Sequence, residues 1–367
     1  MLNFPSQFII INRLIDFLVA VVINISFFIF GIIILLFSMV ISYSTVPYIN
    51  KFARYKNFMD NPDKRKMHKE PIVRIGGISI FLGFILSFFL FYLSCNFYNP
   101  FYEYLYTYSN VKLIVPFLIC SAGFFLIGLV DDLYSLSPFL RLLLQFLVAT
   151  ILWKFGLRIE NFLFLSSILD NSIINLENTF SLLFTIFWVV GVTNAINWID
   201  GLDGLAAGFS LIASIGFIYV CFSNQNFLIG YFSICLAGSS LGFLFRNFYP
   251  ATIIMGDSGS YFLGIQLSSL SLLATESPSL SFGYNQVNFV NFLFGFLFLM
   301  IPLLDMLYVI CCRIIKGVSP FYGDKSHLHH RLLFLGYSHK EVVKIIMFLS
   351  IISVLIASYV SLIFKLS

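Results

Sequence analysis

The sequence predicts an all-α polytopic membrane protein with about ten transmembrane helices. Of its 367 residues, 59% are hydrophobic and 10% are charged, and the mean hydropathy is +0.95. Soluble domains carry about 25% charged residues. The apolar residues form long runs rather than the weak alternating segments of an outer-membrane barrel. A net charge of +4 is too small for a nucleic-acid footprint, so no nucleic-acid partner is expected.

The apolar runs and the polar loops between them set the expected order of the helices. Residues 1–22 carry Arg13 and Asp16 and are expected to form an interfacial lead-in. Residues 23–367 are expected to form one integral-membrane domain. Ten spans are predicted at 23–48, 76–96, 112–130, 138–155, 180–197, 204–223, 227–245, 259–274, 289–311 and 343–365.

The basic residues set the expected orientation. Loop 49–74 carries eight lysines and arginines, which places it in the cytoplasm by the positive-inside rule. Alternating the spans then puts the loops near 135, 201, 250 and 327 on the same side. Five aspartates and three histidines share that side, and a single active site on the cytoplasmic face of the inner (plasma) membrane explains the arrangement.

The segment NAINWIDGLDGLAAG carries polar residues every three positions: Asn194, Asn197, Asp200 and Asp203. Helical geometry puts such residues on neighbouring positions. Carboxylates at a membrane edge are costly and are therefore functional candidates. The alternative is that both Asp-Gly pairs form turns and that Asp203 caps the next helix.

Three further acids lie at or inside apolar runs. Asp131 and Asp132 are adjacent and repel each other unless a cation or a shared proton compensates, although Asp132 also suits a helix cap. Arg141 on the following helix is expected to bind a phosphate or to anchor at the interface. Asp305 is expected to neutralise a buried cation or to steady the break at Pro302.

Asp257 precedes a predicted helix in the segment MGDSGSYFLG. Free N–H groups at a helix start favour a phosphate, and a carboxylate beside it is a candidate Mg²⁺ ligand. The loop HLHHR, with His327, His329, His330 and Arg331, suits diphosphate contacts better than zinc because no cysteine is nearby. Cations of the loop 49–74 are candidates for contact with an anionic lipid or a phosphate.

Five segments, in order, resemble the polyprenyl-phosphate N-acetylhexosamine-1-phosphate transferase family: RKMHKEPIVRIGG, DDLYSLSPFLRLLLQ, NAINWIDGLDGLAAG, NFYPATIIMGDSGSYFLG and HLHHRL. The resemblance implies transfer of a sugar-1-phosphate from a UDP-sugar to a polyprenyl phosphate in the bilayer. UMP would leave, and Mg²⁺, or Mn²⁺ in its place, would be required.

The resemblance also implies roles for individual residues. It puts Asp257 and Asn197 at the metal, and Asp131 and Asp132 at the phosphates and the acceptor. It assigns Asp200 and Asp203 to the nucleotide pocket, and the HLHHR loop to the sugar and the diphosphate. The candidate substrate-binding residues are completed by Asn194, Arg141, Lys66, His68 and Arg74.

Arg331 resembles the GlcNAc-type branch of the family, because the peptidoglycan branch usually has a third histidine there. The expected donor is therefore a simple UDP-N-acetylhexosamine, most readily UDP-GlcNAc. A phospho-MurNAc-pentapeptide transferase is the alternative within the enzyme class. A transporter of lipid-linked sugars is the alternative outside it and predicts polar groups at mid-bilayer. The sequence leaves a homodimer open.

Overall fold

The computed structural model describes residues 4–60, 71–95, 111–159, 174–274, 286–287, 289–319 and 325–366. These residues form helices α1 (Phe4–Tyr55), α2 (Gly77–Cys95), α3 (Val111–Tyr134), α4 (Pro138–Lys154), α5 (Ile174–Ile199), α6 (Leu205–Ser223), α7 (Phe227–Asn247), α8 (Gly256–Leu273), α9 (Phe289–Phe298), α10 (Met300–Ile315), α11 (Leu328–Phe334) and α12 (His339–Leu366). Strands β1 (Met59–Asp60) and β2 (Ile72–Val73) pair antiparallel, and β3 (Arg158–Ile159) and β4 (Gln286–Val287) pair parallel.

Seven helices of the described residues are long and apolar enough to cross a membrane, and they lie within α1, α2, α3, α5, α6, α7 and α12. The prediction of about ten spans is therefore not confirmed. The predicted span 289–311 is divided into α9 and α10 at Leu299. Pro302 explains the break, because it has no N–H to donate and its ring crowds the carbonyl of Phe298. The other two predicted spans that are not among the seven correspond to α4 and α8. Helix α4 has 17 residues, and α8 is rich in serine and glycine.

Helix α8 is the centre of the bundle. All of its residues are buried, and α2, α3 and α5 are among the helices that pack against it. Small residues permit this, because membrane helices approach closely where glycine and serine face each other. Gly259 lies against Gly77 of α2, and Gly264 lies against Thr193 of α5. The start of α8 consequently lies between the carboxyl ends of α3 and α5.

The segment after β2 joins the start of α8 through its backbone. The N–H of Ile254 donates to the carbonyl of Val73 at 2.8 Å, and the N–H of Gly77 donates to the carbonyl of Met255 at 2.8 Å. These bonds hold Arg74 beside α8. Near the start of the chain, α1 is continuous from Phe4, so residues 4–22 of the predicted lead-in and the first predicted span form one helix.

Candidate active site

The amino end of α8 is capped by Asp132 from the end of α3. Its carboxylate accepts hydrogen bonds from the backbone N–H groups of Asp257 at 2.8 Å and Ser258 at 2.9 Å. Gly256 makes this approach feasible, because its φ is +76° and a Cβ there would overlap the carbonyl oxygen of Arg74. Asp132 therefore caps a helix, which is the alternative that the sequence offered for this residue.

Asp257 lies one residue into α8 and joins three elements. Its carboxylate accepts from Arg74 Nη2 at 2.8 Å and from the amide nitrogen of Asn197 at 2.6 Å. Burial raises the pKa of the Asp257 carboxyl, Arg74 opposes that rise, and the neighbouring Asp131 adds to it. Asn197 also donates to Ser260 Oγ at 2.9 Å. Asp257, Asn197 and Arg74, from three distant parts of the sequence, are thereby brought together.

Asp131 has partners different from those of its neighbour Asp132. Arg141 Nη1 donates to Asp131 Oδ2 at 2.8 Å, and the N–H of Leu136 donates to Oδ1 at 2.7 Å. Arg141 reaches this carboxylate from the first turn of α4, which Ser137 caps and Pro138 starts. One arginine therefore serves each side of the acid cluster, Arg74 on Asp257 and Arg141 on Asp131.

The other acids and amides of the NAINWIDGLDG segment have different surroundings. Asn194 donates to Gln145 Oε1 at 2.8 Å and so ties α5 to α4. Asp203 Oδ2 accepts from the N–H of Ala251 at 3.0 Å and holds the loop before α8. Asp200 stays within electrostatic reach of Asp257, and burial followed by that neighbour raises the pKa of the Asp200 carboxyl well above its ordinary value.

His327 is held by Asp305, a pairing that the sequence did not predict. Asp305 Oδ2 lies 2.9 Å from His327 Nδ1, and Asp305 Oδ1 accepts from the N–H of Leu328 at 2.7 Å. Both oxygens of Asp305 thus serve the start of α11, and the expectation that Asp305 neutralises a buried cation or steadies the break at Pro302 stays a prediction. Trp198 meets the His327 ring edge-on at a centroid distance of 5.4 Å.

The rest of the HLHHR loop divides between the interior and the surface. His329 is buried against Gly201, where a Cβ would overlap its Nε2. Burial, with the neighbouring histidines, lowers the pKa of His329 to about 3, so this ring is neutral at pH 7. The His330 ring contacts the His329 ring at a centroid distance of 4.3 Å with the two planes tilted by 47°, and Arg331 lies over the Tyr308 ring at 4.6 Å. Arg331 thus points towards α10.

A cavity of about 510 Å³ opens beside this cluster, between α4, α5 and α10. Its polar lining includes Arg141, Asn197, Trp198, Arg313 and His327. Apolar residues of the same three helices form the remaining wall: Leu142, Phe146, Phe187, Val190, Met306 and Ile310.

Arg313 and Trp198 were missed by the sequence reasoning. Arg313 is buried, lines the cavity and lies over the Trp198 ring at 5.0 Å. A lone arginine ending an apolar run was the available signal, and it resembles an ordinary interfacial anchor.

Residues 114–275 match glycosyl transferase family 4. A Bacillus subtilis protein named probable undecaprenyl-phosphate N-acetylglucosaminyl 1-phosphate transferase is 34% identical over 305 residues, which cover 82% of this chain and 76% of that protein. The chain belongs to this family. A decaprenyl-phosphate N-acetylglucosaminephosphotransferase of Mycobacterium leprae is 34% identical over 84% of this chain and 78% of its own length. An undecaprenyl-phosphate alpha-N-acetylglucosaminyl 1-phosphate transferase of Thermotoga maritima is 31% identical over 79% and 78%.

In this family 4 glycosyl transferase, the acid cluster fits a Mg²⁺ that a substrate helps to hold. No three His, Cys, Asp or Glu side chains of the described residues form a complete cage for a metal. Mg²⁺, however, usually binds one or two carboxylates together with substrate phosphates. Here three buried aspartates share two arginines, which leaves negative charge to neutralise. Asp257 would supply the carboxylate, and Asn197 would offer its oxygen after rotation of its amide.

Two candidate residues of the family 4 glycosyl transferase, Lys66 and His68, lie outside the described residues. Their predicted contact with a phosphate stays a prediction. Arg74, the third cation predicted from that loop, lies at the acid cluster.

Proposed function

We propose that the protein transfers N-acetylglucosamine-1-phosphate from UDP-N-acetylglucosamine to a polyprenyl phosphate and releases UMP, as the first membrane step of cell-surface glycan synthesis. The observation that carries the proposal is a cavity with cations at one end, an apolar wall at the other, and Asp257 beside it. The names of the relatives give the same sugar phosphate and the same class of acceptor.

The two ends of the cavity suit the two parts of the acceptor. Its phosphate needs positive charge, which Arg141 and Arg313 supply at the polar end. Its isoprenoid chain needs an apolar path that is open to lipid. Phe187, which is 65% exposed, lies where α5 faces the bilayer. The acceptor therefore has a route from the lipid to Asp131 without leaving the membrane edge.

The proposed chemistry is a direct in-line attack. A phosphate oxygen of the acceptor bonds to the β-phosphorus of the donor, and the bond from that phosphorus to the bridging oxygen breaks as UMP leaves. The acceptor phosphate has a second pKa of about 6, so it is largely nucleophilic at pH 7. Asp131 orients it through Arg141, or takes its remaining proton. Positioning and charge neutralisation supply most of the catalysis.

Asp132 has a supporting role in this proposal, because both of its oxygens are occupied at the start of α8. A covalent aspartyl-phosphate path would need one of them free. Mg²⁺ bound by Asp257, Asn197 and the diphosphate would neutralise charge on the transferred phosphoryl group. Incubating the enzyme with donor alone separates the two paths, since only the covalent path releases a stoichiometric burst of UMP.

We also propose ten crossings of the inner membrane with the site on the cytoplasmic face. The ends of α3 and α5 both contact the start of α8, and a crossing by α4 between them supports the proposal because it would bring both ends to the same side. Asn224 and Asn226, between α6 and α7, donate to carbonyls at the far end of α8. These contacts support a crossing by α8, after which α9 and α10 together would return the chain to the side of His327.

The test uses purified protein, undecaprenyl phosphate, Mg²⁺ and a panel of UDP-sugars, with released UMP and lipid product as the readouts. UMP from UDP-N-acetylglucosamine, and none from UDP-MurNAc-pentapeptide, is the expected result. Lipid product from the pentapeptide donor alone would contradict the proposal. Light scattering of the active preparation then decides whether the enzyme works as a homodimer.

A further inference from the structure

Asp305 is a buried carboxylate of α10 whose partners all belong to the HLHHR loop. Its side chain is 5% exposed. Among the described residues, no lysine or arginine forms an ion pair with it, and its two oxygens bind His327 Nδ1 and the N–H of Leu328. Burying a carboxylate without partners is costly. Both partners of Asp305 lie at the start of α11, so these two contacts join α10 to α11.

The contact with Asp305 decides which nitrogen of His327 carries the proton. A carboxylate accepts from Nδ1–H, and that leaves Nε2, the other nitrogen, with a lone pair in the neutral ring. Within the described part of the chain, Nε2 has no hydrogen-bond partner, and His327 lines the cavity. Two neighbouring rings restrict the orientation of the His327 imidazole. Trp198 meets it edge-on, and His329 stacks on it at a centroid distance of 5.6 Å.

Two arginines lie close to His327. The guanidinium of Arg313 lies over the same Trp198 ring that meets His327, and Arg141 lines the same cavity. His329, on the next turn, is a neutral neighbour. Two arginines therefore already supply positive charge at this cavity.

We infer that Asp305 is a positioning residue that holds the His327 ring through Nδ1–H, so that Nε2 faces the cavity and accepts a hydrogen bond from a hydroxyl or acetamido N–H group of the donor sugar. This inference rests on the proposed function for the identity of the sugar. The arginines serve the phosphates, and His327 serves an uncharged donor group beside them. Loss of this one bond should weaken donor binding about tenfold.

Asp305→Asn separates this role from a structural one. The amide oxygen still accepts from Leu328, so α11 keeps its cap, but the amide nitrogen donates to Nδ1 and drives the proton to Nε2. Histidine-selective ¹⁵N labelling reports the tautomer directly, because the chain has only five histidines and His327→Ala assigns the signal. We expect an unprotonated Nε2 in the wild type at pH 7.5 and a protonated Nε2 in Asp305→Asn.

Kinetics complete the test. KM for UDP-N-acetylglucosamine should rise about tenfold in Asp305→Asn and in His327→Ala, and the double variant should be no worse than His327→Ala. Glu341→Gln, an exposed capping acid of α12, is the control and should leave KM unchanged. The inference would be overturned if Asp305→Asn raised KM by the same factor in the His327→Ala background as in the wild type. An imidazolium at position 327 of the wild type would also overturn it. If the wild type makes no UMP from this donor, the proposed function fails. The role of Asp305 can still be tested in that case, by the tautomer of His327 and by calorimetric binding of the UDP-sugar panel to the wild type and to Asp305→Asn.

Discussion

Asp132 and Asp257 lie close together in this site but differ in what their carboxylate oxygens contact. Asp132 has a side chain with no exposure and both oxygens on the backbone of α8, whereas Asp257 is 10% exposed and touches only side chains. A carboxylate that fixes a helix start is expected to matter for folding. One that is bound only by an arginine and an amide can exchange those partners for a ligand.

Asp257→Asn should lower kcat by about 100-fold or more while the protein still folds, because the amide keeps one oxygen for Arg74 but loses the charge that holds a cation. The measurement is UMP release against Mg²⁺ concentration, with thermal unfolding in parallel. Asp132→Asn is the matched comparison and should lower the unfolding temperature, since an amide cannot accept from both N–H groups. A near-normal rate of Asp257→Asn at ordinary Mg²⁺ levels would refute the metal assignment.

Gly201→Ala should displace His329 and reduce turnover without unfolding the protein. A Cβ at this exposed glycine overlaps His329 Nε2, and the ring is buried with little room to move. Steady-state kinetics of the purified variant provide the measurement. Gly123→Ala is the control, because a Cβ at that position in α3 would meet only the side chain of Val148, at 3.3 Å. Wild-type kinetics of Gly201→Ala would show that His329 does not need its present position.

Helix α5 presents its apolar middle and its polar end to the same cavity. Gly191 lies between them and leaves the space beside Val190 open. Gly191→Leu should therefore block the apolar wall and raise KM for the polyprenyl phosphate several-fold, with KM for the UDP-sugar unchanged. Leu183→Phe, on a lipid-exposed part of α5, serves as the control. An equal rise in both KM values would indicate a general distortion of α5.

Helix α11 depends on a neutral His329, which gives its stability a defined pH dependence. The pKa of His329 is about 3 in the folded protein and about 6.5 when unfolded, so the folded state binds fewer protons between these values. The stabilisation is complete above pH 6.5 and is lost as the pH falls towards 3. At pH 5 it has decreased by about 2 kcal/mol. Thermal unfolding at pH 7.5 and 5 should show a smaller pH effect in His329→Gln than in the wild type or in His330→Gln.

In the proposed topology, the helix ends that form the site all lie on one side of the membrane. That arrangement predicts the outcome of single-cysteine labelling in a cysteine-free background. Ser135→Cys and Lys325→Cys should react with a membrane-impermeant reagent only from the cytoplasmic side, and Gln225→Cys, in the turn between α6 and α7, only from the far side. Opposite sides for positions 135 and 325 would contradict both the ten crossings and the single site.

Several features of the fold and the site could be predicted from the sequence because they depend on local pattern. Apolar runs predicted the helices, and Pro302 marked the place where α9 gives way to α10. The motifs around Asp131, Asn197, Asp257 and His327 indicated the family. The sequence could not supply the partners of Asp305, Arg313 or Gly201, since those contacts join residues that have no periodic or short-range relation.

The sequence by itself determined that this is a helical membrane protein of a recognisable transferase family, because hydrophobicity and motif order are properties of the chain alone. Only the tertiary structure decided what each polar residue touches. Asp132 became a cap and Asp257 the partner of Arg74 and Asn197 because the serine- and glycine-rich α8 packs closely enough to bring three helix ends within hydrogen-bonding distance. The role of Asp305 likewise depends on tertiary structure. Helix α10, which begins after the break at Leu299, brings the Asp305 carboxylate to the N–H of Leu328, the first residue of α11.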